Sequence, residues 1–254
     1  MKILRLIYAG LVYVFLYLPL AVMVIYSFNA SRFSMAWKGV TLEWYGKLFA
    51  NVSLMQAAMH SLIIAVLAAT CSSILGTLIA MALHRWRFPS RKVIHTSLFV
   101  MMMSPDIVIG ISLLVLFMAL SVPLGFWTLL MAHVTLCVPF VAITVHSRLL
   151  GFDAHVVEAA RDLGAGEYEV FRHVVLPMIF PAVMAGWFLS FTLSIDDVII
   201  SFFTTGPTFE VLPLRIYSMV RLGLKPEVNA LCAIMILITA VAVFVSQRLL
   251  KEKA

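Results

Sequence analysis

Charged residues are scarce in this chain, and their scarcity decides which solvent it can fold in. Of its 254 residues only 12% are charged while 63% are hydrophobic, and the mean hydropathy is +1.06. So little polar surface cannot cover a soluble core of this size. The composition therefore excludes a water-soluble globular domain and indicates a protein that is surrounded by lipid.

Other absences exclude whole classes of function. The pattern G-x-x-x-x-G-K-[ST] does not occur, so this polypeptide cannot cradle ATP phosphates by itself. The three cysteines lie in apolar runs without a Cys-x-x-Cys or Cys/His spacing, which favours packing roles. His133 and His146 also lack the spacing of metal ligands, and we expect packing or interface roles for them. Since no nucleophile and base are paired either, we expect a protein that is not an enzyme and holds no metal.

The net charge of +6 does not indicate a nucleic-acid partner, because the basic residues stand in short clusters beside apolar runs. Such clusters are typical of segments that fix the orientation of membrane helices. We therefore expect membrane lipid, and no nucleic acid, around this chain.

Long apolar runs predict six membrane-spanning helices, since about 20 such residues cross a bilayer. The stretch 107–147 carries no Asp, Glu, Lys or Arg and is about twice too long for one span, so the turn-forming residues 121–125 divide it. Gly76 and Ala80 give the second span a small-residue face for close helix contact. The predicted spans are 7–28, 61–83, 96–120, 126–145, 176–203 and 230–247.

The distribution of lysine and arginine orients these spans. With the N-terminus inside, the inner segments carry twelve of the 18 basic residues and the outer segments carry six. An excess of basic residues marks the cytoplasmic side. We therefore expect both termini, and the polar loop at 153–177, in the cytoplasm.

One polar segment interrupts the apolar chain, because residues 153–172 hold seven of its thirty charges. Val156, Ala160 and Leu163 share one face of a short predicted helix, which Gly164 would end. A second short helix would then lead rigidly into the span that Pro177 opens. Because acids outnumber arginines here, a protein partner fits this segment better than an anionic lipid surface.

The same segment carries a recognisable motif. Glu158-Ala159-Ala160, then Gly164, then 174–177 (Val-Val-Leu-Pro) resembles the EAA-x3-G-x9-I-x-LP loop of bacterial binding-protein-dependent ABC importer permeases, with valine at 174 as the one departure. The resemblance implies an all-α membrane protein with six transmembrane helices, the type I (MetI-like) importer permease fold and cytoplasmic coupling helices. It implies contact with an ATPase subunit for Glu158, Ala159, Ala160, Gly164, Glu167, Leu176 and Pro177.

Three acidic residues fall inside predicted spans, where a charge is costly and is therefore a functional candidate. Asp106 follows Ser104-Pro105, and this proline should kink the helix and free the carbonyl of Met101. A cation pathway would explain such carboxylates. The alternative is that Asp106 pairs with a residue of a second subunit.

Asp196 and Asp197 are the other two acids, and Ser194 could add an oxygen beside them. Neighbouring residues point about 100° apart on a helix, so we expect one carboxylate to face the lumen and the other to support it. The sequence leaves open which of the two does so. Both could instead simply reach the outer interface.

Two outer aromatic residues have two possible roles. Trp44 and Tyr217 lie in predicted outer segments, where aromatic residues are most often anchors at the membrane interface. Alternatively they contact substrate, with Trp44 as a cation–π platform and Glu43 and Glu210 drawing cations in. Both interpretations stay open.

Three further segments are similar to the C-type permease subunits of spermidine/putrescine ABC importers: MMSPDIVIGISLLVLFMAL, LSFTLSIDDVIISFFTTGP and LPLRIYSMVRLG with PEVNAL. This resemblance implies a bacterial inner-membrane permease that pairs with a homologous B-type permease. It also implies two copies of a cytoplasmic ATPase, which bind ATP and Mg²⁺, and a periplasmic polyamine-binding protein. The chain itself would hold no cofactor.

These observations predict two regions and one function. Residues 1–57 would form the first transmembrane helix and an outer arm, and 58–250 the ABC permease domain. The predicted function is ATP-driven polyamine import by alternating access, with Asp106, Ser194, Asp196, Asp197, Trp44 and Tyr217 along the pathway. The alternatives are a permease for another cationic solute and a proton- or sodium-coupled secondary transporter. The preference between spermidine and putrescine and the resting conformation stay open.

Overall fold

The computed structural model describes residues 2–31, 36–151, 153–221 and 226–237, and these residues are almost entirely helical. Among them the only extended pairing is an isolated antiparallel bridge between Asn29 and Val40. The helices are α1 (Lys2–Tyr26), α2 (Glu43–Ala50), α3 (Val52–Arg85), α4 (Arg91–Met103), α5 (Asp106–Ala119), α6 (Phe126–Leu150), α7 (Ala154–Asp162), α8 (Glu167–Val170), α9 (Leu176–Asp196), α10 (Ile199–Thr204), α11 (Leu212–Arg221) and α12 (Pro226–Leu237).

The chain divides into two compact units. One comprises Ala57–Leu214, and the other comprises Met1–Gln56 with Arg215–Ala254. The larger unit contains the intramembrane acids and the polar loop. The division into regions 1–57 and 58–250 stays a prediction.

Four helices in the described part of the chain are long and apolar enough to cross a membrane: Arg5–Tyr26, Val52–Arg85, Phe126–Leu150 and Glu167–Asp196. They match the first, second, fourth and fifth predicted spans. A fifth crossing results if α4 and α5 count as one broken span. Of the sixth predicted span, residues 230–237 lie in the apolar helix α12, and 238–247 lie outside the described residues.

The third predicted span is broken rather than kinked. α4 and α5 meet at an angle of 112° on either side of Ser104-Pro105. Proline explains the position of the break, because it has no N–H to donate and disfavours helical backbone in the residue before it. The expectation of a free Met101 carbonyl is wrong, since the Ser104 amide donates to it at 3.3 Å.

The fifth predicted span also ends earlier than expected. α9 stops at Asp196, Asp197 takes an extended conformation (ψ 126°), and α10 begins at Ile199. The prediction of one continuous helix over 176–203 is therefore wrong. No proline or glycine marks this break in the sequence, and its cause is the side-chain contacts described below.

The larger unit packs around α6, whose Val141 is completely buried. A Cβ on Gly76 of α3 would lie 2.7 Å from the Val141 Cβ, and a Cβ on Gly186 of α9 would lie 3.2 Å from its Cγ1. Ala80 belongs to the same buried cluster. The prediction of a close helix contact at Gly76 and Ala80 is thus confirmed, because the missing side chains allow α3 and α9 to approach α6.

Candidate functional site

Asp106 lies in the first turn of α5, directly after the break that follows α4. Its side chain is exposed in this chain. A carboxylate at this position is favourable for the helix, because the amide groups at a helix N-terminus carry partial positive charge. The predicted carboxylate is therefore exposed at the bend, and its place in a substrate pathway stays a prediction.

Asp197 lies at the second break and is buried, with 8% of its surface exposed. Its Oδ1 accepts from the Ile200 amide at 3.2 Å and its Oδ2 from the Ser201 amide at 2.7 Å. These are N–H groups of the first turn of α10, which have no partner within the helix. Asp197 therefore caps α10, and its oxygens are already occupied.

Asp196, the last residue of α9, has the opposite environment, because its side chain is exposed. The two neighbouring acids thus differ, since one supports the backbone and the other is exposed, but the reason is the end of α9 between them and not a 100° separation on one helix. In this structure Asp196 is the open carboxylate, and Asp197 is the supporting one. Which of them meets substrate stays a prediction.

Ser194 is buried on α9 and does not stand open beside the acids as expected. Its Oγ lies 2.6 Å from Nδ1 of His133, a residue of α6 that is 1% exposed. The other ring nitrogen, Nε2, lies 3.0 Å from the Ser201 Oγ and 3.5 Å from the Asp197 Oδ2. The interpretation of His133 as a mere packing residue is therefore incomplete, since the ring joins a buried polar cluster.

Two features of the sequence point to this cluster. A histidine in the middle of an apolar span must find polar partners, because a buried unpaired ring nitrogen is costly. Ser194, Asp197 and Ser201 recur at intervals of three and four residues, the spacing of one helix face. This pattern predicts a common partner, although only the fold identifies it as His133.

The two breaks are linked, because the helices that follow them pack together. α5 contacts α10, and a Cβ on Gly110 would lie 2.8 Å from the Phe203 ring. Ile109 packs against the buried cluster that contains Ile200. Asp106 and Asp197 thus lie at the N-terminal ends of α5 and α10, two short helices that contact each other. Both carboxylates are therefore placed where the helical backbone is interrupted.

Trp44 lies in the other compact unit and is 6% exposed. Its Nε1 donates to the Asn29 carbonyl at 2.8 Å, which ties α2 to the loop after α1. The Lys47 ammonium lies 4.5 Å from the centre of its ring. An internal cation therefore already occupies the ring, and substrate contact by Trp44 stays a prediction. Tyr217, on α11, has 48% of its surface exposed, and its role stays a prediction too.

The polar loop forms the two helices that were expected. α7 ends before Gly164, whose φ of +86° lies in the left-handed region that glycine tolerates. α8 then continues through a π-helical turn (Phe171–Val175) into α9, so the second helix is continuous with the span. Leu176 and Pro177 lie in the first turn of α9, where proline is well tolerated. The predicted glycine elbow is confirmed.

The exposed surface of this loop includes apolar side chains, of which Leu163 is 89% and Tyr168 67% exposed. Ala159 and Glu158 on α7 are exposed as well, and Ala160 is half-buried. Glu158 lines a cavity of ≈ 330 Å³ together with His84, Arg85 and Arg161. Large apolar side chains on a polar loop are typical of a surface that binds another protein.

Glu167 joins the loop to the rest of the unit. Its carboxylate accepts from the Arg85 guanidinium at 2.5 Å and forms an ion pair with Arg161 at 3.1 Å. Arg85 is the last residue of α3, and Arg161 lies in the last turn of α7. One carboxylate thus connects three helices.

The described residues contain no cluster of three or more His, Cys, Asp or Glu side chains that could hold a metal ion. Their polar groups instead form the buried His133 cluster and the Glu167 cluster. The absence of a cofactor from this chain stays a prediction.

Comparisons with known proteins agree with the geometry. A family model described as "Binding-protein-dependent transport system inner membrane component" matches residues 72–254. The spermidine/putrescine transport system permease protein PotC of Escherichia coli (strain K12) is 53% identical over 242 residues, which cover 95% of this chain and 92% of that protein. PotC of Haemophilus influenzae is 50% identical, with 95% and 94% covered.

A putrescine transport system permease protein of Escherichia coli (strain K12), PotI, is 42% identical over 88% of this chain and 82% of its own length. Among solved structures, a bacterial ABC transporter involved in the import of the acidic polysaccharide alginate superposes with a TM-score of 0.76 at 16% identity. That match covers 97% of this chain and 95% of the other. At this identity the likeness shows the fold alone, which is that of MetI-like importer permeases.

Proposed function

The chain belongs to the family of binding-protein-dependent transport system inner membrane components, and from that premise we propose that it is a permease subunit of an ATP-driven polyamine importer. Spermidine and putrescine are the proposed substrates. The relatives named for these two polyamines are similar to this chain over nearly their whole length.

One observation carries the proposal: exposed carboxylates stand at breaks in an apolar helical bundle. Asp106 begins α5 and Asp196 ends α9, and both are exposed in this chain. Intramembrane acids are costly and usually face a water-filled cavity or a partner. Discontinuous helices near the middle of the membrane are where many transporters bind charged substrates. A substrate with several ammonium groups matches carboxylates at more than one position.

The carboxylates would act by exchanging their water for the amine and then releasing it. The ammonium groups of a polyamine would bind Asp106 and Asp196 in an outward-open state, replacing part of their hydration shell. Affinity has to remain moderate, because a cation that binds too tightly would not leave. Asp197 would keep α10 in place, since its oxygens already accept two backbone amides.

Movement would come from partner chains. We propose that the transporter contains two ATPase subunits, which bind ATP and Mg²⁺, and that one of them docks on the loop of this chain that contains Glu158, Ala159, Ala160 and Gly164. The exposed Leu163 on that loop supports such docking. Because α8 is continuous with α9, closure of the ATPases would move α9 as a rigid body. This movement would change the position of the break between α9 and α10. A B-type permease would complete the pathway, and a periplasmic binding protein would deliver the polyamine.

This proposal includes a bacterial inner-membrane location with both termini in the cytoplasm. The distribution of lysine and arginine supports it, because twelve of the 18 basic residues lie in the segments that would be inside.

The test is uptake of radiolabelled spermidine and putrescine by cells that depend on the assembled transporter. Asp106→Asn and Asp196→Asn should each lower the maximal uptake rate at least about tenfold, whereas Arg87→Gln, at an exposed residue outside the pathway and the docking loop, should not. Normal uptake by both intramembrane variants at normal membrane levels would sink the proposal. Uptake that continues in vesicles without ATPase would indicate a secondary transporter. Uptake of another organic cation in place of polyamines would identify a different solute.

A further inference from the structure

A buried histidine spans the break in the α9–α10 segment. His133 lies near the middle of α6, and 1% of its surface is exposed. Both ring nitrogens lie within hydrogen-bonding distance of buried hydroxyls: Nδ1 is 2.6 Å from the Ser194 Oγ, and Nε2 is 3.0 Å from the Ser201 Oγ. The ring is therefore held from both sides by side chains of other helices.

The partners of the His133 ring lie before, at and after the break between α9 and α10. Ser194 lies on α9 before the break, Asp197 lies at the break, and Ser201 lies on α10 after it. The Nε2 of His133 is also 3.5 Å from the Asp197 Oδ2. One side chain of α6 thus contacts both halves of the broken span and the carboxylate between them.

These contacts hold the backbone on both sides of Asp196. Asp197 accepts the Ile200 and Ser201 amides, so its position is fixed relative to α10. Ser194, two residues before Asp196, is held to α6 by its contact with His133. Asp196 therefore stands between two positions, Ser194 and Asp197, that both contact the same imidazole.

We propose that His133 is a positioning residue for polyamine transport, which holds Ser194, Asp197 and Ser201 across the α9–α10 break and thereby places the Asp196 carboxylate for substrate. The proposal rests on the proposed function. A buried ring with two hydrogen-bonded nitrogens is well suited to this role, because no aliphatic side chain can join the two helices in the same way.

The variants are His133→Leu, which removes both ring nitrogens, and His133→Gln, which keeps one donor and one acceptor. The matched control is His146→Leu. His146 is buried on the same helix, 7% exposed, and its Nε2 has no hydrogen-bond partner among the described residues. All variants are measured in the complete transporter, with the amount of chain in the membrane determined by immunoblot.

We expect His133→Leu to lower the maximal uptake rate roughly tenfold, the factor that corresponds to losing hydrogen bonds to a charged group. His133→Gln should recover part of the rate, and His146→Leu should match the wild type. The ratio of spermidine to putrescine uptake should change in His133→Leu, because the two amines differ in how many charges they present. A general packing defect would lower both rates equally.

The decisive measurement combines His133→Leu with Asp196→Asn. If the imidazole acts through Asp196, adding His133→Leu to Asp196→Asn causes little further loss. Fully additive losses, or normal uptake by His133→Leu, overturn the proposal. Should the leucine variant be missing from membranes, Ser201→Ala replaces it in the same comparison. A wild-type transporter that takes up no polyamine overturns the proposed function and this inference together, whereas impaired Asp196→Asn with normal His133→Leu overturns this inference alone.

Discussion

The Arg85 guanidinium at the end of α3 donates a hydrogen bond of 2.5 Å to Glu167 in the first turn of α8. These residues lie 82 positions apart in the sequence. Glu167 also pairs with Arg161 on α7. The loop proposed to receive the ATPase is thus held to the membrane bundle by an ionic cluster as well as by the continuous backbone of α8 and α9.

We expect Arg85→Gln and Glu167→Gln each to lower ATP-driven uptake, by no more than roughly fivefold, because exposed ion pairs are weak individually. The double variant should be no worse than the more impaired single one, since both remove the same contact. Uptake and copurification of the ATPase measure the effect. Arg87→Gln, at an exposed arginine two residues after Arg85 and outside the docking loop, is the control. Additive losses would show that the two residues act separately.

Asp196 and Asp197 should respond differently to the same substitution. In Asp197→Asn the two backbone amides face a neutral oxygen or an NH₂ group in place of the carboxylate. We therefore expect the free energy of unfolding to fall by about 1–3 kcal/mol and uptake to decrease. Asp196→Asn should lower uptake while stability changes by less than about 0.5 kcal/mol. Thermal unfolding of the purified transporter in detergent separates the two cases, and equal stability losses would contradict the assignment of Asp197 as the cap.

Gly76→Ala tests the close contact between α3 and α6. The new Cβ would lie 2.7 Å from the Val141 Cβ and 2.9 Å from the Ala142 backbone nitrogen, so the helices must separate. We expect a loss of about 1–3 kcal/mol in stability. Gly46→Ala is the control, because nothing lies within 4 Å of a Cβ at that position. A variant as stable as the control would show that the bundle adjusts without cost.

Gly164→Ala should impair the elbow between α7 and α8. Its φ of +86° costs a residue with a Cβ about 1–2 kcal/mol. We therefore expect weaker retention of the ATPase on the purified permease complex. Gly166→Ala is the matched control, because Gly166 has an ordinary φ of −68°. If both variants retain the ATPase equally, the left-handed turn is not required for docking.

Trp44 offers a test between an anchoring role and a cation platform. Trp44→Phe keeps an aromatic face but removes the donor to the Asn29 carbonyl, and we expect a stability loss of about 1 kcal/mol. Lys47→Gln removes the cation that lies over the ring. If Trp44 is structural, polyamine uptake by Lys47→Gln stays at the wild-type rate. A marked change in its uptake would indicate that the ring face is open to substrate.

Much of the architecture followed from the sequence. Apolar runs long enough for a bilayer predicted the spans that the described residues confirm, because the cost of burying polar groups in lipid leaves few other conformations. Proline at position 105 predicted the place of the first break, and glycine at 164 predicted the elbow. The motif of the polar loop indicated the importer permease family, which the comparisons confirm.

The tertiary structure decided what those local signals could not. The size of the bend at Ser104-Pro105, the interruption after Asp196 and the choice of Asp197 as the buried acid all depend on contacts between helices that are distant in sequence. His133 meets Ser194 and Ser201 only because α6 packs against α9 and α10. Periodicity identifies which residues share a helix face, whereas the packed bundle determines which face meets which partner.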